Sequence, residues 1–502
     1  VTLGTAPDPF SVLYGLTLSG MAVYGWHRSA LARSYLRTRS LPPPAVPPLE
    51  MGACEDAPRV LVQLPLFNER LVAERLIDSV CQLDYPSARL QIQVLDDSTD
   101  DSAGLAEGVV ERWASRGIAI TYHHRVDRVG FKAGALREGL SCAPDAELIA
   151  IFDADFIPPA DFLLRTVPYF RSPLAHQPTP KHERVGVVQA RWEHLNRERS
   201  LLTRAQAILL DGHFMIEHTA RHRAGCFFNF NGTAGLWDRD CIEEAGGWEH
   251  DTITEDLDLS YRAQLKGWRF IYLNDITAPA ELPEDMSSFK TQQHRWAKGS
   301  LQVALKLLPR LLHSELPWRV KRESVMHLTG NLAYLLMLCW SLITPYALKA
   351  RATTEWPAFF VWLDLVVFGS ATLSVLFFYG LSQRESAPQR WRGRLTTLPT
   401  VLALGAGLAV NNSKAVLEAL LGVTSPFVRT PKRGDQAGDS TLNRRYRSTR
   451  SLSSLVELVI SAHFFYSAYL CCALGQWLSL PFMLLFGWGL GYVGLMSLLQ
   501  RR

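Results

Sequence analysis

Where the apolar residues fall constrains this chain more than any other feature. VMHLTGNLAYLLMLCWSLITPYAL, residues 325–348, and WPAFFVWLDLVVFGSATLSVLFFYGL, residues 356–381, are each long enough to cross a bilayer core of about 30 Å. Two further segments of this kind lie near 454–475 and 478–499, and FSVLYGLTLSGMAVYGW supplies a fifth near the start. The averages hide the pattern, since the hydrophobic class is 48% and charged residues are 20% of the 502. Such a chain divides into about five crossings and a polar middle outside the bilayer. The first apolar segment has no basic leading region and is followed by His27, Arg28, Arg33, Arg37 and Arg39. It reads as an uncleaved anchor, residues 1–27, with the side that follows it in the cytosol.

Residues 397–422 fit less cleanly. Asn411, Asn412, Ser413, Lys414 and Glu418 are expensive at membrane depth, and a crossing there would leave the basic segment Arg429–Arg450 outside. An interfacial or re-entrant placement is expected instead. WRVKR, residues 318–322, suits an interfacial helix, and Trp318 and Trp340 are candidates to line a path through the bundle. The net charge of +4 is small for a nucleic-acid binder, and no zinc-finger or basic-zipper spacing appears, so nucleic acid is not expected as a partner. The eight cysteines form no C-x-x-C pair and are expected to stay reduced.

Residues 28–57 are basic and then proline-rich, a linker into a domain expected over 58–310. Within it RVLVQLPLF, LQIQVLDDS, ELIAIFDAD and RVGVVQARW read as buried strands, and NERLVAERLIDSVCQL and KAGALREGLSC as helices. This β-α-β order predicts a Rossmann-like α/β domain with a mostly parallel sheet. Ligands bind such sheets beyond the carboxyl ends of the strands. Asn68, Asp96, Asp97, Asp153 and Asp155 are therefore expected in one cleft.

Several short patterns carry chemistry. Asp153 and Asp155 in FDADF, two residues apart at a strand end, can share one divalent cation, a hard ion that takes oxygen ligands. Asp96 and Asp97 close another strand. Lys132 stands where a helix begins, so its ammonium and the helix N-terminus both favour an anion. In FNFNGTAGLW a turn flanked by Gly232 and Gly235 lets backbone approach a sugar closely. In QQHRW, Gln292 can hydrogen-bond, Arg295 offers a planar fork to phosphate oxygens, and Trp296 gives a flat face to a sugar ring. Glu255, Asp256 and Asp258 precede an amphipathic segment. Taken singly, each has an ordinary explanation as a turn, a helix cap, a surface lysine or an interfacial stripe.

Taken in order, the patterns are specific. L-F-N-E, D-D-S, K-A-G, D-A-D, N-G-T, T-E-D and Q-x-x-R-W followed by spans resemble the processive family 2 glycosyltransferases of the cellulose synthase-like group. The similarity is greatest to the plant-type mannan and glucan synthases, through QARW, FNGTAG, EAGGW, KGW and QQHRW. The resemblance implies a GT-A fold for 58–310, joined to an all-α transmembrane bundle with interfacial helices and a gating loop, residues 426–434, within 311–502. It assigns Leu66, Phe67, Asn68 and Glu69, with Asp96 or Asp97, to the nucleotide, and Lys132 and Arg295 to the diphosphate. Asp153 and Asp155 would hold Mg²⁺ or Mn²⁺, and Asp256 would be the general base. Trp296 would stack on the acceptor, with Asn231, Gly232, Thr233, Glu255 and Gln292 also facing substrate. Asn231 replaces the cysteine of cellulose synthases, which weighs against strict cellulose specificity. Phe427, Thr430 and Lys432 match the gating loop. No counterpart of the PilZ module is expected.

The function implied is processive, inverting extension of a β-linked hexose polysaccharide, β-1,4 by resemblance, with translocation across the membrane. The donor is UDP-glucose or GDP-mannose, the acceptor is the growing polysaccharide, and the lipid bilayer is the other partner. The catalytic domain would be cytosolic, at the plasma or inner membrane if the source is bacterial. The alternatives are a non-processive transferase to a lipid acceptor and a membrane transporter or receptor that only binds nucleotide sugar.

Overall fold

The computed structural model describes residues 8–41, 57–171, 184–352, 362–424, 432, 434 and 452–500. Its sheet contains β1 (Val60–Leu66), β2 (Leu90–Asp96), β3 (Ile120–His124), β4 (Leu148–Ile151), β5 (Val185–His194), β6 (Gly235–Asp238) and β7 (Arg269–Ala280). The order across it is β3-β2-β1-β4-β6-β5-β7. The four runs read as strands are β1, β2, β4 and β5. The mostly parallel expectation holds, with one exception: β6 runs antiparallel to both of its neighbours.

Register decides what the sheet delivers to its edge. Leu66 lies opposite Asp96, and Gln63 lies opposite Ile151, so β1, β2 and β4 finish side by side. Because β6 is reversed and starts with Gly235 opposite Ile151, the turn before it opens at that same edge. Alternate residues serve two cores: Val62, Leu64 and Val94 pack with Leu76, Ile77 and Val109 on one face. Leu61, Leu95 and Ile149 pack with Leu136, Leu140 and Trp237 on the other. Cover on both faces explains why these strands read as continuous apolar runs.

The longer helices are α1 (Pro9–Thr38), α2 (Ala73–Val80), α3 (Ser102–Ala114), α4 (Phe131–Ser141), α5 (Leu201–Asp211), α6 (Glu255–Leu265), α7 (Met286–His313), α8 (Trp318–Thr329) and α9 (Leu332–Arg351). They continue with α10 (Leu363–Ser386), α11 (Trp391–Gly407), α12 (Ala409–Leu420), α13 (Ser453–Ala473) and α14 (Leu480–Leu499). Among the described residues, α9, α10, α13 and α14 are long and apolar enough to cross a membrane. The pair α11 and α12, bent by 41°, is a broken span or a re-entrant loop and raises the number to as many as 5. These helices fit a membrane-embedded protein. Helix α1 is less apolar than the four but packs along α9 and α10.

The segment expected as one span over 325–348 is divided between α8 and α9. Ser300 Oγ donates to the Leu328 carbonyl at 2.8 Å, satisfying backbone freed where α8 ends. Trp340 neither lines a path nor anchors at an interface. It is fully buried against Tyr14, Phe368, Phe464 and Phe486. Trp318 is 70% exposed at the start of α8.

The polar residues of 397–422 have partners on α7. Asn411 Nδ2 donates to the Lys290 carbonyl at 2.9 Å, and Glu418 pairs with His294 and Lys298 at 3.0 Å each. Lys290 Nζ also pairs with the buried Glu457 of α13 at 2.6 Å. Helix α7 is thus clasped by the apolar bundle.

A second buried pair closes the opposite end of the bundle. Asp364 accepts from Tyr14 at 2.9 Å, from Ser479 at 2.8 Å and from Arg351 at 3.0 Å. Asp364→Ala removes the buried carboxylate that bonds Arg351, Tyr14 and Ser479, an expected loss of about 3–5 kcal/mol. A fall in melting temperature in detergent micelles, partly recovered in Asp364→Leu/Arg351→Met, checks this.

Candidate active site

An open cleft of about 450 Å³ lies over the ends of β1, β2 and β4, with α7 on its far side. Its walls include Leu66, Phe67, Glu69, Asp97, Lys132, Asp153, Asp155, Asn231, Gly232, Glu255, Asp256, Gln292, Arg295, Trp296 and Lys432. Asn68, Asp96 and Thr233 stand behind those walls. Phe427 and Thr430 lie outside the described residues.

The two aspartates closing β2 have different tasks. Asp96 is fully buried and accepts from Ser98 N at 2.9 Å and from the Tyr122 hydroxyl at 2.8 Å, so it shapes the loop. Asp97 reaches the cleft and takes a two-pronged bond from Arg125, whose Nε and Nη2 donate to Oδ1 and Oδ2 at 2.7 Å each. Asn68, at φ 56°, receives Thr99 N on its side-chain oxygen at 2.9 Å and donates its own N–H to Ser98 Oγ at 2.7 Å. It ties the end of β1 to the end of β2.

At the centre, Lys132 Nζ donates to Asp153 Oδ1 at 2.5 Å and to the Gly232 carbonyl at 2.8 Å. Thr233 Oγ1 accepts the Asp153 N–H at 2.9 Å, which fixes the strand end against the turn. Gly232 sits at φ 79°, and a Cβ there would lie 3.1 Å from Asp256 Oδ2 and 3.4 Å from Lys132 Nζ. That positive φ favours glycine, and a Cβ would also crowd the Asp256 carboxylate. Burial works against the Lys132 ammonium, but Asp153 and Glu255 hold its pKa above the ordinary lysine value.

Glu255 and Asp256 open α6. Burial, then the neighbouring Glu255 carboxylate, push the Asp256 carboxyl up to about 7, against the pull of Lys132. Burial raises Glu255 as well. Both carboxyls therefore hold protons more tightly than in water. Asp258 does not join them: it is fully buried between Arg262 at 2.7 Å and Lys306 at 3.0 Å. From α7, Arg295 faces this group; burial lowers its pKa, and Glu255, Asp153 and Asp256 oppose that.

The amide of Asn231 is engaged by protein, with His218 Nε2 at 2.8 Å and His213 Nε2 at 3.1 Å. Those histidines come from the π-helical stretch Gly212–His218, which follows α5. Nothing short-range in the sequence connects them to the turn. Arg125, Arg128, His213, His218 and Thr254 are the residues that sequence reasoning missed. The arginines did leave a signal, two basic residues just ahead of K-A-G.

Asp153 and Asp155 make an all-oxygen donor pair on one cleft wall. Each bonds a lysine ammonium: Lys132 on Asp153, and Lys432 Nζ on Asp155 Oδ2 at 2.5 Å. Their carboxylate oxygens are the hard donors that a Mg²⁺ or Mn²⁺ ion takes, and such an ion would compete with the two ammonium groups for them.

Residues 58–299 match the family model described as glycosyltransferase like family 2. Over those residues the chain is similar to the family 2 glycosyltransferases. The chain is 46% identical, over 269 residues, to glucomannan 4-beta-mannosyltransferase 2 of Arabidopsis thaliana. The match takes in 53% of this chain and 48% of the relative, so the chain spans about half the length of the curated relative it matches. A solved mannosyltransferase from Pyrobaculum calidifontis, in complex with GDP-Man and Mn2+, superposes with a TM-score of 0.52 at 20% identity. It covers 82% of this chain and 100% of its own, a likeness of fold. The glycosyltransferase domain thus has a GT-A-like mixed sheet and continues into an apolar helical region.

Proposed function

We propose that the protein is a membrane-embedded inverting hexosyltransferase that processively extends a β-1,4-linked polysaccharide and passes it across the membrane. One observation carries this reading: Asp256, the Lys132–Asp153 pair, Arg295 and Trp296 line a single cleft, the last two from a helix clasped by the apolar bundle. The 46% identity to a 4-beta-mannosyltransferase favours a mannosyl donor, so GDP-mannose is preferred to UDP-glucose. In this reading residues 58–310 face the cytosol, and the first span, residues 1–27, together with residues 311–502, with a gating segment at 426–434, forms the path for the growing chain.

The chemistry is one displacement. The acceptor hydroxyl attacks the anomeric carbon from the face opposite the diphosphate, the bond to the diphosphate breaks, and an α-linked donor becomes a β-glycoside. Asp256 takes the hydroxyl proton as base. Lys132 and Arg295 meet the negative charge that collects on the departing diphosphate. A divalent ion held by Asp153 and Asp155 would supply Lewis-acid polarisation of the phosphate oxygens. No covalent intermediate is required. Trp296 presents a flat face that holds a sugar ring without demanding one register, which suits repeated addition.

Purified protein in lipid nanodiscs, given labelled GDP-mannose or UDP-glucose with Mg²⁺ or Mn²⁺, tests the proposal. The expected product is a long chain, labelled from GDP-mannose and degraded by a β-1,4-mannanase. A single sugar on lipid, or donor binding without transfer, rejects it.

A further inference from the structure

Helix α6, which carries Asp256 in its first turn, has no side-chain cap of its own. Thr254 stands at the N-cap position, yet its hydroxyl oxygen is buried and makes no hydrogen bond among the described residues. A helix start of that kind must be fixed from outside. One stripe of α7 does this. Arg295, Gly299, Gln302 and Lys306 follow one another at helical spacing and share a face about 16 Å long. Arg295 turns one end of that face to the cleft, and Gly299 lets the Thr254 side chain come close. Gln302 Oε1 accepts the Ile253 N–H at 3.0 Å. At the far end Lys306 Nζ pairs with Glu249 at 2.6 Å, Asp251 at 2.8 Å and Asp258 at 3.0 Å. One oxygen of each carboxylate lies within 4.8 Å of the others, so the three would repel without the ammonium among them. Burial works against that ammonium, but Asp251, Glu249 and Asp258 hold its pKa above the ordinary lysine value. Asp256 is therefore bracketed, with Ile253 tied to α7 ahead of it and Asp258 tied to α7 behind it.

We infer that Lys306, with Gln302 on the same stripe, is a positioning residue for the base: its ammonium clamps the start of α6 to the helix that presents Arg295 and Trp296. The clamp sets the reach from Asp256 to an acceptor held by Trp296. The inference rests on the transferase reading above and adds the part that fixes its geometry. Lys306 is not among the residues lining the cleft, so it acts through Asp256 and not on substrate.

Full-length Lys306→Met in lipid nanodiscs tests this, with kcat counted per GDP- or UDP-binding site so that unfolded protein does not enter the figure. Its kcat is expected to fall about 10²-fold, the cost of misplacing a reacting group by about 1 Å, with nucleotide affinity at the wild-type value. Lys306→Arg keeps a cation that reaches the same carboxylates and should keep most of the rate. Gln302→Leu, an independent variant that leaves every ion pair in place, should show the same split between a lower kcat and an unchanged nucleotide affinity. Wild-type kcat in Lys306→Met, a loss of nucleotide affinity in step with kcat, or an arginine variant as slow as the methionine one overturns the inference and leaves the transferase reading standing. A wild-type protein that binds nucleotide but transfers no sugar overturns the transferase reading itself, and the inference with it.

Discussion

Asp256→Asn is expected to lower transfer by about 10²–10⁴-fold while nucleotide and metal still bind, because it removes the proposed base and keeps the shape. In the wild type the rate should rise with pH through about 7 as the Asp256 carboxyl releases its proton, and this step should vanish in the variant. Stability should move the opposite way. A carboxyl whose pKa is raised in the fold contributes stability below its ordinary value, and that contribution is lost as pH climbs through about 7. At pH 8 the asparagine variant should therefore melt at a higher temperature than the wild type, with the difference shrinking towards pH 5. A variant that still polymerises, or melts no higher at pH 8, assigns the base elsewhere.

Gly299→Ala should lower kcat by about 10²-fold with nucleotide affinity unchanged. A Cβ on Gly299 would collide with the side chain of Thr254, the residue immediately before Glu255 and Asp256. On its other side α7 is held by Glu457 and Glu418, so the strain is expected to move the start of α6 and carry Asp256 away from the acceptor. Removing the obstruction with Thr254→Ala in the same chain should recover much of the rate. Equal kcat in Gly299→Ala and wild type, or no recovery in the double variant, removes Thr254 as the coupling point.

Sequence patterning captured the elements whose burial is uniform and missed those whose burial is mixed. Strands β1, β2, β4 and β5 are nearly continuous apolar runs because both faces are covered. The edge strand β3, ITYHH, has a wet side. Strand β6 has four residues, and β7 is interrupted by Asn274 and Asp275 next to a shift in register. Periodicity is weak in all three. The convergence of Asp153, Asp155, Asp256 and Trp296 was legible because strand ends and motif order predict it. What could not be read were partnerships across long separations. Asp96 and Asp97 are adjacent in the chain, yet one is consumed by Tyr122 and the other by Arg125. Asp258 looks like Asp256 in the sequence, but it is neutralised by Arg262 and by Lys306, 48 residues on. Such differences depend on which neighbour the fold brings up.

The clasp on α7 gives the cleft two different foundations. Lys132, Asp153 and Asp256 belong to the elements packed on the sheet, whereas Arg295 and Trp296 ride on a helix anchored through Glu457 and Glu418 to elements that fit a lipid environment. Hydrophobic mismatch between those elements and acyl chains of the wrong length would shift one jaw of the site against the other. Lipid thickness then becomes a kinetic variable, felt in turnover.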